Sequence, residues 1–180
     1  MFTIVDTLDK LQQAQKTLSK TDIIACNLEA EGLDTKKSAI QGIGFGTDTD
    51  TFFIPYPNNL DRDEVVKILT ELFEKQVIFH HAKFDMQLLL ENNFPVPKKI
   101  HDTMIMSWLI DENSQHGLKP LTKVILGKET KNWKDLNREI DLFVTQEEIM
   151  KELAEYCCKM WQILFFFISI SSLNLNQQEP

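Results

Sequence analysis

Cysteine, positive charge and long apolar runs are all scarce in this chain, and each scarcity removes a class of protein. The three cysteines, Cys26, Cys157 and Cys158, form no Cys-x-x-Cys pair and no even set. A disulfide framework is therefore excluded, and a reducing, cytoplasmic setting is expected. Lys and Arg number 19 against 27 Asp and Glu, a net charge of −8. That balance counts against a protein that grips nucleic acid through bulk electrostatics, since such binding rests on many Lys and Arg contacts to phosphate. It leaves room for a metal-dependent nuclease, in which bound cations supply the positive charge. No stretch reaches the roughly 18 apolar residues of a membrane-spanning helix. Asp6 and Asp9 stand where a signal peptide would have its apolar run, so no membrane association is expected. A Gly-x-Ser-x-Gly elbow and a phosphate-binding loop are both missing, which argues against an α/β hydrolase.

What is present is an ordinary folding composition: 180 residues, 43% hydrophobic and 26% charged. That is enough for one domain with a full core. Residues 7 to 19 carry Leu8, Leu11, Ala14 and Leu18 at helical spacing. Three strand-like runs follow, 22 to 29, 39 to 46 and 51 to 56, separated by Gly, Asp and Thr turn residues, and they predict an antiparallel meander. A helix is predicted over 61 to 75, capped by Asn59 or Asp61, with Val65, Ile68, Leu69, Leu72 and Phe73 on one stripe. Gln76 to His80 reads as a buried strand. Further helices are predicted over 82 to 92, 102 to 111, 118 to 126 and about 146 to 168, with loops at Pro95-Val96-Pro97 and 127 to 143. Strands first, then a βα unit and helices, imply an α/β fold: a mixed central sheet flanked by helices. The domain is expected to span 1–168, with 169–180 as a frayed tail.

Chemistry concentrates at three places. Asn27 and Glu29 end the first central strand two residues apart, so both face one side and can share a cation. Asp85 follows the run His80-His81-Ala82-Lys83-Phe84, and it is equally a first-turn helix carboxylate favoured by the macrodipole. His80 and His81, as strand neighbours, point to opposite sides and do not make joint metal ligands. Tyr156 is either functional or part of a core stripe with Ile149 and Leu153, and Asp102-Thr103 reads most simply as a helix cap.

Taken in order, these segments resemble the 3′-5′ proofreading exonuclease domain of the DNA polymerase I type, within the ribonuclease H-like exonucleases that use four carboxylates and a tyrosine. That family's Asp-x-Glu motif with its Gly-Leu-Asp turn is matched by Asn27-Leu28-Glu29 and Gly32-Leu33-Asp34. Its Asn-x-x-x-(Phe/Tyr)-Asp motif is matched by His81-Ala82-Lys83-Phe84-Asp85, and its Tyr-x-x-x-Asp motif by Tyr156 through Met160. Asp102-Thr103-Met104 and His116-Gly117-Leu118-Lys119-Pro120-Leu121 also look like this family.

The resemblance implies hydrolysis of terminal phosphodiesters of single-stranded DNA by two Mg²⁺ or Mn²⁺ ions, roughly 3.5–4 Å apart. It assigns Glu29 to the nucleophile-side ion, Asp85 to the second ion through water, and Tyr156 to the attacking water. Position 27 would bridge both ions and position 160 would complete the first site. Leu33, His81 and Phe84 would touch the nucleic acid, and a polymerase body, absent from this chain, would be the partner.

Asn27 and Met160 stand at two aspartate positions of that pattern. An amide keeps one neutral oxygen, and a thioether is a soft, weak ligand for a hard ion. Loss of orienting groups around a metal typically costs about 10 to 100-fold in affinity or activity, and loss of ligands should cost more. The resemblance therefore implies an exonuclease with an impaired metal site, or a noncatalytic binding or structural module.

Met160 also has a possible origin in the gene. Met160-Trp161-Gln162-Ile163 is encoded ATG TGG CA(A/G) AT(A/C/T). Read one base earlier, with Lys159 as AAG, the same bases spell Asp-Val-Ala-(Asn/Asp), which restores the motif. Residues 160–180 are then either a frame-shifted tail or a naturally diverged one. Resequencing tests this: a recovered Asp codon in frame in any copy supports the shift, and an intact frame in every copy with none recoverable rules it out.

Overall fold

In the computed structural model, residues 2–127 and 162–170 are described. Six strands are present among them: β1 (Phe2–Ile4), β2 (Ile23–Ala30), β3 (Ile40–Gly46), β4 (Thr51–Pro55), β5 (Gln76–Phe79) and β6 (Lys99–Asp102). They form one sheet in the order β1-β4-β3-β2-β5-β6. β2, β3 and β4 are an antiparallel meander, as their turn residues predict, whereas β5 pairs parallel to β2, and β6 parallel to β5. The β3–β4 turn closes on Thr47, whose hydroxyl accepts the Asp50 amide at 3.0 Å. The mixed α/β sheet expected above is therefore the one observed.

Two strands were not anticipated. β1 has only three residues, and β6 is a four-residue edge strand opening on the exposed Lys99 and Ile100, too short and too polar to show a period of two.

The helices are α1 (Leu8–Leu18), α2 (Arg62–Leu72), α3 (Ala82–Glu91), α4 (Thr103–Ile110), α5 (Leu118–Leu126) and α6 (residues 162–170). Thr7 caps α1 and Asp61 caps α2, each through its side-chain oxygen. The predicted stripe of α2 is buried in full, Phe73 included. In α1, Leu11, Ala14 and Leu18 are buried, but Leu8 sits at the exposed first turn.

Alternation along the strands sorts the core into two layers. Ile24, Cys26 and Leu28 of β2 share a face with Phe45, Phe52 and Val77, and α1, α2 and α3 cover it. Ala25, Phe53 and Ile78 belong to the other face, where Leu164 of α6 packs on them. That second face also carries Asn27 and Glu29, which lie opposite Gly44 and Gly42. Phe53 fills the space that Gly42 leaves: a Cβ there would lie 2.1 Å from the Phe53 ring.

Gly42→Ala is accordingly expected to lower stability by about 1–3 kcal/mol through overpacking, measured by urea unfolding. A midpoint unchanged from the unmodified chain would show that the ring has somewhere else to go.

Candidate active site

The site follows from unequal strand lengths. β2 is paired with β5 only from Ile23 to Ala25 and continues to Ala30. Past Ala25, the β2 edge that faced β5 therefore needs other partners for its backbone groups. Asp85 supplies one: its carboxylate accepts the Leu28 amide at 3.0 Å, with Asp85 only 3% exposed. Asp85 comes from the α3 side of the sheet, and Asn27 and Glu29 lie on the α6 side. The open edge lets groups from both layers meet, and it sets the Asp85 carboxylate against Leu28, between Asn27 and Glu29 in the strand.

Asn27 Nδ2 donates to Glu29 Oε1 at 3.2 Å, which confirms that the two share a face. Burial pushes the Asp85 carboxyl well above its ordinary range; the Leu28 amide opposes this, while Glu29 and Asp102 add to it. The Cys26 thiol is pushed up for the same reason, first by burial and then by Asp85. A buried acid beside a second carboxylate is a place where a cation would be favourable.

Among the described residues no group of three or more His, Cys, Asp or Glu forms a metal cage. The donor set is two carboxylates and one amide oxygen. Its chemistry suits a hard divalent ion with oxygen ligands, and its charge matches one such ion rather than two.

Of the residues expected to touch nucleic acid, His81 and Phe84 lie at the start of α3 beside Asp85 in sequence. Leu33, in the turn that leaves β2, is 86% exposed. His81 occupies the left-handed region at φ 74° as the residue before α3, and its ring stacks on Phe84 with centroids 6.2 Å apart. Phe84 in turn packs on the core. Tyr156 and Met160 lie outside the described residues.

Sequence reasoning undervalued two groups. Asp102 is a cap, as read, but it serves two helices: its carboxylate accepts the amides of His81 at 3.1 Å, Ala82 at 2.9 Å and Met104 at 2.9 Å. β5 ends at Phe79, so His80 lies just past the strand predicted to include it, and its Nδ1 lies 2.9 Å from the Thr103 hydroxyl. The only sequence signal for either was an Asp at the end of a short apolar-polar run.

His80 is held neutral. Burial is the largest cause and lowers its pKa to about 4, with Asp102 and the His116 backbone opposing. The unfolded chain thus binds a proton between pH ~6.5 and about 4 that the folded chain refuses. His80 therefore lowers stability as pH falls through that window and has no effect above it. His80→Gln is expected to flatten the stability curve from pH 7 to 4 relative to the unmodified chain, measured by urea unfolding at each pH. Parallel curves would show that His80 is solvated.

The chain is similar to known proteins over most of its length. A family model described as 3′-5′ exonuclease matches residues 2–159. A DNA polymerase I from Borreliella burgdorferi is 26% identical over 97% of this chain and 20% of its own length, so the chain spans about a fifth of that relative. Among solved structures, Brucella melitensis NrnC with bound Mg²⁺ superposes with TM-score 0.65 at 20% identity, covering 97% of this chain and 80% of that one. Trypanosoma brucei RNase D, in complex with RNA U12, superposes with TM-score 0.70 at 18% identity, covering 89% and 60%. The fold is ribonuclease H-like, and the chain belongs to the 3′-5′ exonuclease family.

Proposed function

We propose that this chain is a 3′-5′ exonuclease domain of the DNA polymerase I type that engages the 3′ end of single-stranded DNA in the cytoplasm, with cleavage weakened by Asn27 and Met160. The observation that carries this is the meeting of Asn27, Glu29 and Asp85 around the open edge of β2, with the Asp85–Leu28 bond between them. Glu29 and Asp85 would hold Mg²⁺ or Mn²⁺, with the Asn27 oxygen as a neutral third donor. A bound ion there would lower the pKa of water and offset phosphate charge.

The chain's own side chains do the rest. Exposed Leu33 lies against the terminal nucleotide, and the His81–Phe84 stack offers a flat face to a base. By the family resemblance, Tyr156 would orient the attacking water and Met160 stands where the fourth ligand would be; both lie outside the described residues.

The charge deficit supports a second reading. With Asn27 donating to Glu29, the site is already satisfied without an ion, as suits a noncatalytic module that only binds a 3′ end or spaces other domains. A polymerase body is the expected partner in either reading, since the Borreliella burgdorferi relative is about five times longer than the matched part.

Release of mononucleotides from a 3′-labelled single-stranded oligonucleotide in Mn²⁺ separates the two readings. Asn27→Asp with Met160→Asp is expected to exceed the unmodified chain by more than about 100-fold, taking at least 10-fold for each ligand restored. Equal rates would refute the impaired site, and no release from either would favour the binding module. An RNA oligonucleotide of the same sequence in parallel reports the preferred sugar.

A further inference from the structure

β5 and β6 are parallel and end level with each other, Phe79 opposite Asp102. Each leads into a helix, α3 after His80 and His81, and α4 at once. Two helix N-termini therefore lie side by side, each with amides that have no partner in their own helix. One carboxylate answers both. Asp102 Oδ1 accepts from His81 and Met104, and Oδ2 accepts from Ala82.

The consequence runs through α3. Ala82 is its first residue and Asp85 lies in its first turn, so the bond to Oδ2 fixes the helix less than one turn before the Asp85 carboxylate. The bond to Oδ1 holds His81 in a left-handed conformation that costs a non-glycine residue about 1 kcal/mol or more. His81 makes no side-chain cap of its own, so Asp102 is the side chain that caps this terminus. Thr103 braces the arrangement: its hydroxyl donates to the Phe79 carbonyl at 3.1 Å and meets His80 at 2.9 Å. Thr103 is fully buried.

We infer that Asp102 is a positioning residue for the active site: by capping α3 and α4 together it sets the height at which α3 presents Asp85 to β2. Its carboxylate oxygens accept the three backbone amides of the two helix starts. The inference deepens the proposed function, since Asp85 matters as a ligand only on that reading.

The test reads the position of Asp85 without metal or substrate. Asp85 is bonded to the Leu28 amide, so hydrogen exchange at Leu28 reports whether the carboxylate is in place. In Asp102→Ala, protection at Leu28 is expected to fall at least 10-fold further than at Ile43, which is buried in β3 between β2 and β4 and serves as the reference for overall stability. A cap that served only overall stability would lower both equally, and that result would overturn the inference. Should Asp102→Ala fail to fold, Asp102→Asn keeps an oxygen for His81 and Met104 but loses the acceptor for Ala82, and a selective loss at Leu28 is expected there too. Calorimetric Mn²⁺ titration of the unmodified chain runs alongside. If it shows no site, the proposed function fails while the Leu28 result still decides the role of Asp102. If it shows one, Asp102→Asn should weaken it about 10-fold.

Discussion

The site exists because β2 is longer than the strand beside it. Where β5 turns away, the backbone of β2 still carries amides that need acceptors, and an amide left buried without one costs about 1–3 kcal/mol. Asp85 meets that need at Leu28. The solution to a backbone problem thereby becomes a chemical feature: a carboxylate is drawn to the strand end on which Asn27 and Glu29 already stand. The rest of the architecture serves this junction. β3 and β4 hold the far side of β2, Phe53 and Leu164 fill the layer next to Asn27, and Asp102 fixes the helix that brings Asp85.

Electrostatics then sets what the junction can hold. Asp85 is buried, and both Glu29 and Asp102 raise the cost of ionising it. Only a positive partner or further donors make a charged Asp85 comfortable there. A divalent ion is such a partner. Without an ion, burial favours the neutral form of the Asp85 carboxyl, while Asn27 donates to Glu29.

Much of this was legible in the sequence, and the part that was not shares one cause. The stripe of α2, its cap Asp61, and the meander of β2 to β4 are local patterns, set by period and by turn residues within a few positions. The pairing of Asn27 with Glu29 is local too. β6 escaped notice because an edge strand of four residues with exposed lysine has neither length nor alternation. The double role of Asp102 escaped because it depends on Phe79 and Asp102 ending side by side, a matter of register between strands 23 residues apart. Asp85 was identified by resemblance, but its bond to Leu28 could be seen only once β2 was known to outrun β5.

Asn27 is best understood through the same balance. An aspartate at that position would set a third carboxylate against Glu29 and the buried Asp85, and without ions the three would repel. The asparagine removes one charge and turns its amide into a donor, so Glu29 gains a hydrogen bond where it would have had a like-charged neighbour. Compared with an aspartate there, the asparagine would favour the fold without an ion over tight ion binding. Function and stability trade in this direction wherever an active site concentrates like charges.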